Sequence, residues 1–417
     1  MGLPGIVGLS AFAVLGVAVA LGLWLRQEVL PPEIHALDGR FRYEGRWQSA
    51  GRAKIADWPC TAVHFNVEAD PGGGSLALVF RALRTRLAVT VHGPDGSRQS
   101  WDVFGPWTQL PWLREQRVPL RGGNSTVTFR KLSSPRPFGT GWGGWLEPSV
   151  WEFHGIRPIG SSLRLQPAPR RRRRRIELLA DGVGLGDCVE GSPDLSVAAS
   201  LAFSWQHQSC EASFIGHVAE ALDAELDVQA LSGIGIMQNA QTEAYFSGRE
   251  TMLSYWSRRL QSDDSTHQPH RRPDLLIVNL GSSDFQQHGG KQPHNVTFRT
   301  VYNKLLHAVV STYGGFLSNL TIAAVCGMGA PSDGEKERGT SRCTACPYVQ
   351  EAVDYFKGSL DLHADAWNVE VHYLEVPCDG TVLRAVEDFG CLGLPNRRGQ
   401  RRIAEFLLPW LRTILHW

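Results

Sequence analysis

Residues 176–182, which read Ile-Glu-Leu-Leu-Ala-Asp-Gly, decide the fold of the second half of the chain. Their short apolar run is typical of a buried strand, and the glycine-rich segment that follows indicates a tight turn. Further apolar runs then alternate with segments whose apolar residues recur every three or four positions, which is the period of a helix. This alternation predicts an α/β domain over residues 176–417, with a parallel sheet covered by helices on both faces.

The elements predicted after this first strand continue to the C terminus. Strands are predicted at 226–231, 274–280, 320–326 and 369–376, and helices at 214–222, 301–313, 349–356 and 399–415. Ligands of such sheets bind at the carboxyl ends of the strands. The residues directly after each strand are therefore the candidates for a functional site.

The segment before this domain has a different pattern. Between residues 35 and 158, short stretches of alternating apolar and polar residues are separated by Gly, Pro, Asp and Asn, and no helical period is present. Repeated short strands of this kind predict an N-terminal β-sandwich domain with a jelly-roll-like arrangement.

Residues 161–175 form the predicted junction between the two domains. They contain two prolines and six consecutive arginines, Arg170 to Arg175. Because like charges repel and stay hydrated, we interpret the run mainly as a solvated linker. Two functional interpretations stay open, namely a proprotein-convertase cleavage site and a contact for acidic glycans or lipid headgroups.

The N terminus predicts entry into the secretory pathway. Residues 3–25 are uncharged and apolar, close to the roughly 20 residues that span a bilayer core, which favours a transmembrane signal anchor. A cleaved signal peptide is the alternative, because small residues at 18–20 offer a cleavage pattern. Glycosylation sequons at Asn124, Asn295 and Asn319 fit a lumenal or extracellular body. The expected location is therefore a secretory-pathway membrane or the extracellular space.

Composition narrows the list of partners. The chain has 42 Lys plus Arg against 41 Asp plus Glu, and a net charge of +1 provides no field that would attract nucleic acid. Eight cysteines in an oxidising compartment predict several disulfides. Cys343 and Cys346 have zinc-knuckle spacing, but without a second such pair we expect a disulfide or free thiols there. No metal and no cofactor are expected.

Five short motifs occur in a particular order along the two predicted domains. They lie at residues 45–47, 127–131, 231–235, 279–285 and 390–396. Together with the order of a sandwich, an arginine-rich junction and an α/β domain, they resemble carbohydrate esterase family 2. This family belongs to the SGNH or GDSL hydrolases, and its members remove O-acetyl groups from sugars.

The resemblance implies a serine nucleophile on the first strand-to-helix turn and a histidine base near the C terminus, oriented by an acid. Backbone N–H groups and an asparagine amide would hold the oxyanion. The matching positions here are Gly182 for the nucleophile, Leu394 for the base, Leu392 for the acid, and Gly235 (or its neighbour Gly233) and Ser283 for the oxyanion hole. The nucleophile position therefore has no hydroxyl group to acylate, and the base position has no group to activate one.

These substitutions predict a catalytically degenerate relative that binds polysaccharide or acetylated glycan. An active esterase with relocated groups is an alternative, because histidines 267, 270, 288 and 294 surround the third strand near Ser282 and Ser283. A partner-binding scaffold of the secretory pathway is a third interpretation. Among the 14 tryptophans, Trp142 and Trp145 lie in a glycine-rich segment and are the candidates for a ring platform that stacks on sugars.

Overall fold

The computed structural model describes most of the chain after the N-terminal segment. The described residues are 29–106, 113–135, 149–160, 162–196, 199–200, 204–240, 250–286, 292–313, 319–329, 342–361, 368–384 and 386–417. The predicted anchor at 3–25 lies outside these ranges. Within them, no helix is both long enough and apolar enough to cross a membrane.

The N-terminal half consists of two antiparallel sheets. One has the order β3-β4-β11-β6-β9 with β1 beside β11, and the other has the order β12-β5-β10-β7-β8 with β2 beside β5. The strands are β1 (Ile34–His35), β2 (Arg42–Glu44), β3 (Gln48–Ala50), β4 (Ala53–Ala56), β5 (Ala62–Ala69), β6 (Gly74–Ala82), β7 (Arg86–His92), β8 (Arg98–Phe104), β9 (Arg114–Leu120), β10 (Gly123–Lys131), β11 (Trp151–Ile159) and β12 (Leu163–Gln166).

The two sheets share one apolar core. Alternation along the strands directs every second side chain inward, so that Phe65 of β5 and Phe129 of β10 meet Phe80 of β6 and Trp151 of β11 in the same cluster. The rings of Phe80 and Phe129 pack edge to face with centroids 5.2 Å apart. The opposite face of the β5-β10-β7 sheet is polar.

The C-terminal half is a five-stranded parallel sheet of order β14-β13-β15-β16-β17, as the alternating pattern predicted. Its strands are β13 (Arg174–Ala180), β14 (Ala224–Ala230), β15 (Leu275–Asn279), β16 (Leu320–Gly327) and β17 (Val369–Val376). The helices are α1 (Gly182–Leu185), α2 (Ser204–His207), α3 (Phe214–Ala221), α4 (Met252–Tyr255), α5 (Ser282–Phe285), α6 (Asn295–Tyr313), α7 (Cys346–Asp361) and α8 (Arg397–Leu415).

Strand order places the functional edge of this sheet. The chain moves from β13 outward to β14 and then returns past β13 to β15, so the connections leave the sheet in opposite directions on either side of β13. At such a switch point the carboxyl ends of two neighbouring strands open a crevice. The turns after Ala180 and Asn279 lie at this point, and they carry the end of the opening stretch 176–182 and the motif at 279–285.

Helix boundaries differ from the prediction where polar residues open a helix. Helix α6 begins at Asn295 instead of residue 301, and α7 runs from Cys346 to Asp361 instead of over 349–356. The first turn of α6 is largely exposed, so it does not show the apolar period used to place the start of the helix. The strand at Val369–Val376 has the predicted bounds.

The junction is shorter than predicted and more tightly held. Strand β12 pairs with β5 and extends the sandwich to Gln166, and β13 already begins at Arg174. Arg172 donates to the carbonyl of Ala224 at 2.9 Å, and Arg175 forms an ion pair with Asp227 at 2.7 Å. The interpretation of the whole run as a solvated linker is therefore corrected, because its last residues are part of the sheet and several side chains dock on the α/β domain.

A buried ionic cluster joins the two domains. Arg46, which is 1 % exposed, donates to Glu177 at 2.8 Å and to the carbonyl of Arg258 at 2.7 Å. Glu177 lies in β13, an interior strand of the parallel sheet. Arg46 belongs to the first sequence motif, so this motif marks the domain interface. Asp57 of the sandwich likewise accepts from the backbone N–H groups of Gln261 and Ser262, both at 2.9 Å.

All eight cysteines form disulfides, which confirms that prediction. The pairs are Cys60–Cys210, Cys188–Cys391, Cys326–Cys346 and Cys343–Cys378. Cys60–Cys210 connects the sandwich to the α/β domain. The two cysteines with zinc-knuckle spacing bond to different partners, so their sulfur atoms are not available as thiolate ligands.

Candidate functional site

The first strand-to-helix turn of the α/β domain is organised by Asp181. Its carboxylate caps α1 by accepting from the backbone N–H of Val183 at 3.1 Å. The other carboxylate oxygen accepts from the hydroxyl groups of Ser282 and Ser283 and lies 3.5 Å from a guanidinium nitrogen of Arg342. Asp181 is buried, and these contacts tie the turn after β13 to the turn after β15.

The nucleophile position, Gly182, faces the carboxyl group of Asp187. A Cβ atom on Gly182 would lie closer to Asp187 Oδ2 than the 3.0 Å below which such contacts essentially never fall. Asp187 is held in place because it accepts from Gln208 Nε2 at 2.6 Å and from the hydroxyl group of Ser232. Its carboxyl group therefore occupies the space that a serine side chain would need.

Burial raises the pKa of Asp187 to about 7, and the nearby charge of Asp181 acts in the same direction. The hydrogen bonds from Ser232 and Gln208 and the charge of Arg342 oppose this rise in pKa without cancelling it. Asp187 thus changes its charge near neutral pH, although it is only 1 % exposed.

Both predicted oxyanion positions are engaged within the protein. The backbone N–H of Gly235 donates to Asn239 Oδ1 at 3.0 Å, which corrects the expectation that this N–H group faces the site. The hydroxyl group of Ser283 donates to Asp181 at 3.2 Å. At the alternative position, Gly233, the carbonyl accepts from the N–H of Ala240 at 2.9 Å. Neither Gly235 nor Ser283 has a donor hydrogen left for an oxyanion.

Asp284, which follows Ser283, organises the loop after β14. Its carboxylate accepts three backbone N–H groups, from Ile236 at 2.9 Å, Met237 at 2.7 Å and Gln238 at 2.9 Å. Burial raises the pKa of Asp284 to about 7, and these three hydrogen bonds act against that rise. The motif at 279–285 thus has a structural role, because its Asp284 holds the loop that carries Gly233 and Gly235 in place.

The positions for the base and the acid lie in a disulfide-bonded loop before α8. Leu394 is 5 % exposed and packs in the apolar cluster that contains Val183 and Leu185. Leu392 is half-buried and has a left-handed backbone with φ of 56°, which is uncommon for leucine. Cys391 bonds to Cys188, so this loop is fastened to the segment after α1. The fold thus places the base position in the same apolar cluster as Val183, the residue after the nucleophile position, with a leucine side chain instead of a histidine.

Within the described residues, none of the histidines proposed for a relocated catalytic pair forms a hydrogen bond with Ser282 or Ser283. Burial lowers the pKa of His267 to about 4, and the charges that act on its ring are those of Arg46, Asp227 and Arg175, at the domain interface. His270 and His294 are exposed, and His288 lies outside the described residues. Trp142 and Trp145 also lie outside them, so the ring platform stays a prediction.

The sequence did not reveal the polar residues that fill the site. Asp187 lies five residues after the nucleophile position, Gln208 lies in a loop after α2, and Arg342 opens a short 3₁₀ helix at 342–345. The spacing of Asp181 and Asp187 was the available signal, since two carboxylates flank the short helix α1. The partners of Asp187 come from distant parts of the chain, and sequence spacing does not indicate them.

This chain is similar to known proteins over a much larger share of its structure than of its sequence. No family model matches the chain. An acetylxylan esterase and glucomannan deacetylase of Cellvibrio japonicus is 29% identical over 118 residues, which are 28% of this chain and 31% of that protein. The likeness in sequence thus spans about a third of that relative.

The likeness in structure spans nearly the whole chain. A family two carbohydrate esterase of Clostridium thermocellum, in complex with cellohexaose, has a TM-score of 0.66 at 19% identity, over 90% of this chain and 99% of that one. The acetyl xylan esterase Est2A of Butyrivibrio proteoclasticus has a TM-score of 0.67 at 14% identity, over 91% and 96%. A family two esterase of Cellvibrio japonicus has a TM-score of 0.66 at 16% identity, over 92% and 98%.

The resemblance noted in the sequence is confirmed by these comparisons. Since these structural likenesses lie at 14–19% identity, they establish the fold and leave the chemistry to the residues of this chain. The chain is a relative of carbohydrate esterase family 2 and has the SGNH-hydrolase fold.

Proposed function

We propose that this protein is a catalytically degenerate carbohydrate esterase that binds polysaccharide or acetylated glycan without hydrolysing it at enzyme-like rates. A single observation carries this proposal. The nucleophile position is Gly182, and the carboxyl group of Asp187 fills the space where a nucleophile's side chain would stand. An acyl intermediate requires an attacking oxygen at this place, and the fold has filled it with an acid.

The remaining site is suited to binding sugar hydroxyl groups. Ser282 and Arg342 are both half-buried at the switch point. The hydroxyl hydrogen of Ser282 goes to Asp181, so its oxygen can only accept from a sugar at the mouth of the crevice, whereas the Arg342 guanidinium group can donate to one. The family two esterase of Clostridium thermocellum was solved with cellohexaose, which supports a β-linked glucan or a similar backbone as the ligand class. Trp142 and Trp145 would add stacking surfaces.

The location stays a proposal from the sequence. A protein anchored by residues 3–25, or released after cleavage of that segment, would present both domains to the lumen or the extracellular space, where disulfides persist. The four disulfides support an oxidising compartment. Expression with a C-terminal tag, followed by carbonate extraction of membranes, tests the anchor; complete release of the protein into the soluble fraction would contradict it.

Hydrolysis of 4-nitrophenyl acetate and of acetylated xylan tests the central proposal. We expect no activity above background from the natural protein. In the combined variant Gly182→Ser, Asp187→Ala and Leu394→His, the space is cleared before the nucleophile and base are introduced. Because the Gly235 N–H and the Ser283 hydroxyl group stay engaged, we expect only a modest gain, of roughly ten- to hundredfold over background.

Two controls separate chemistry from damage to the fold. Gly182→Ser alone should stay inactive and lose stability, since its Cβ meets Asp187. Asp187→Ala alone should stay inactive and folded, as checked by circular dichroism. Turnover by the natural protein at rates typical of enzymes would overturn the proposal.

One observation favours an alternative, an active esterase with relocated groups. The hydroxyl group of Ser232 donates to Asp187, whose pKa of about 7 suits a general base. Both side chains are at most 3 % exposed, which weighs against this pair as the site of attack on a polymer. Labelling by a fluorophosphonate that is lost in Ser232→Ala would establish this alternative, and absence of labelling would remove it.

A further inference from the structure

A polar cleft lies between the two domains near the amino ends of β13 and β14. Its volume is about 270 Å³. One wall is the outward face of β5, β7 and β10, and the other is formed by α3 and by Ala224 and Leu226 of β14. The proposed glycan site lies at the opposite edge of the same sheet. Since β13 has seven residues of about 3.3 Å each, the two edges are about 20 Å apart.

The sandwich wall presents hydroxyl and imidazole groups in register. Strand pairing sets Thr128 opposite both His64 and Thr90, and it sets Thr126 opposite His92. The His64 ring lies 2.9 Å from the Thr128 hydroxyl group. Burial lowers the pKa of His64 to about 4, so its ring is neutral at physiological pH. Both ring nitrogens of His64 are engaged, by Thr128 and by Glu44 at 2.8 Å. The groups left for the hydroxyl groups of a sugar are the exposed His92 ring and the acceptor lone pairs of the threonine hydroxyl groups.

Guanidinium groups are the main charged lining of the cleft. Arg42, Arg98, Arg130 and Arg172 line it together with Glu44, Glu211 and Glu220. The contacts of Arg98 are loose, at 3.6 Å and 3.7 Å from the two glutamates at the mouth, and its side chain is 51% exposed. In the floor, the Nε atom of Arg42 is buried without a hydrogen-bond partner among the described residues.

The arginine run continues the charge of the cleft onto the surface. Arg172 belongs both to the run and to the lining. Arg170 to Arg173 are exposed, and Arg171 is paired with Glu225 only at 3.4 Å. For the side chains of Arg170 and Arg173, no hydrogen bond or ion pair is found within the described part of the chain. Guanidinium groups therefore outnumber carboxylates along the cleft and the run.

We propose that the cleft and the arginine run form a second binding site, which takes an anionic polysaccharide. The run contacts carboxylate or sulfate groups along the polymer, and one sugar unit enters the cleft, where the Thr and His groups meet its hydroxyl groups. Arginine pairs with either anion through two parallel N–H bonds. This site stands independently of the proposed function, since it lies at the other edge of the sheet.

Other polyanions fit the cleft less well. Single-stranded nucleic acids are held by aromatic rings that stack on the bases, and the described lining of the cleft contains no Phe, Tyr or Trp. A membrane surface would need an apolar or amphipathic face beside the basic residues, whereas the lining here is made of Thr, His, Arg and Glu with few apolar groups.

Titration of the disulfide-intact protein with polysaccharides of matched backbone tests the proposal. Carboxymethyl dextran carries carboxylates, dextran sulfate carries sulfates, and plain dextran is the uncharged control. We expect saturable binding of at least one anionic polymer, none of dextran, and an affinity that weakens as salt rises because exposed charges are screened. The two anionic polymers distinguish carboxylate from sulfate recognition.

Two variants divide the site into its parts. Arg170→Gln with Arg173→Gln removes the unpaired charges of the run, and Arg98→Gln removes the charge at the mouth of the cleft. We expect each lost arginine to weaken binding about threefold to fivefold, as for exposed ion pairs. Arg52→Gln, on an exposed turn of the other sheet, is the matched control and should bind like the natural protein.

Several outcomes would overturn the proposal. If neither anionic polymer binds, there is no such site. If Arg98→Gln binds as tightly as the natural protein while the run variant does not, the run acts alone and the cleft takes no sugar. Equal affinity for dextran sulfate and for a single-stranded oligonucleotide would show attraction of any polyanion. Unchanged glycan binding at the carboxyl edge in these variants would keep the two sites distinguishable.

Discussion

The two edges of the parallel sheet use charge in opposite ways. At the carboxyl edge, Asp181, Asp187 and Asp284 are all buried, and each accepts hydrogen bonds from nearby hydroxyl, amide or backbone N–H groups. At the amino edge, Arg170 to Arg173 stay exposed and are only partly paired. The first edge is satisfied within the protein, whereas the second has charge left for a partner.

This difference supports the proposal that the carboxyl edge is catalytically degenerate. A hydrolase needs donors and a nucleophile that face an open crevice, and here the acids of the same turns bind groups of the protein itself. Burial of Asp187 and Asp284 raises both pKa values to about 7, and this desolvation cost is tolerated because the acids fix the loops around them. The amino edge is closed only in part, since Arg175 is paired with the buried Asp227 while Arg170 to Arg173 stay exposed.

Removing the acid that holds the loop after β14 should have the largest effect. Asp284→Ala leaves the backbone N–H groups of Ile236, Met237 and Gln238 without their acceptor. At about 1–3 kcal/mol for each buried unsatisfied donor, we expect the free energy of unfolding to fall by about 3–5 kcal/mol. Urea denaturation followed by tryptophan fluorescence measures this loss.

Asp284→Asn is the matched control, because its amide oxygen can still accept from two of the three N–H groups. It should lose no more than about half as much stability as the alanine variant. Equal losses would show that volume or charge, and not the hydrogen bonds, supports this loop. The carboxyl edge would then be less closed than the contacts indicate.

The charge of Asp187 gives a second test, through pH. Its pKa is raised in the folded state to about 7 from an ordinary value of 3.8, so the folded protein holds this proton over a range where the unfolded chain has lost it. The stability contributed by this group is complete below pH 4 and is lost as pH rises towards 7. Asp187→Asn imitates the protonated acid and should not show this loss.

We therefore expect the variant to gain stability relative to the natural protein as pH rises from 4 to 7, by roughly 2–4 kcal/mol for a shift of this size. Urea midpoints measured at intervals of half a pH unit give the difference directly. Asp284 and the histidines titrate in both proteins, so their contributions cancel in the comparison. A difference that does not depend on pH would mean that Asp187 is ionised in the fold at all these pH values.

The fold could be predicted because it depends on the spacing of apolar residues and on the order of strands and helices along the chain. Alternation in residues 35–158 and the strand-helix alternation after residue 176 are local patterns, and both halves of the structure follow them. The junction was predicted less well, since charge repulsion alone favoured a hydrated linker. Docking of Arg172 and Arg175 depends on acceptors near Ala224 and Asp227, which are adjacent only in the folded chain.

The site residues could be predicted only at positions that match a motif of the family. The substitutions at Gly182 and Leu394 could be read directly from the resemblance, but the engagement of the Gly235 N–H by Asn239 is a matter of loop geometry. The role of Asp187 depends on Gln208 and Ser232, which lie in separate loops. Sequence reasoning thus identified what was absent from the site and missed what had replaced it.

The smallest expected difference between the two edges concerns glycosylation at the sequons. Asn319 precedes β16 at the amino edge and is exposed, whereas Asn295 opens α6 near the carboxyl edge and its amide donates to Glu351 at 2.5 Å. A glycan on Asn295 would have to displace this hydrogen bond, worth about 1 kcal/mol, so we expect lower occupancy there. Peptide mapping of protein from a secretory host should find glycan on Asn319 and on the exposed Asn124, with Asn295 mostly unmodified. In Glu351→Gln, which keeps a weaker acceptor, occupancy of Asn295 should rise; full occupancy of Asn295 in the natural protein would show that this edge is as open as the other.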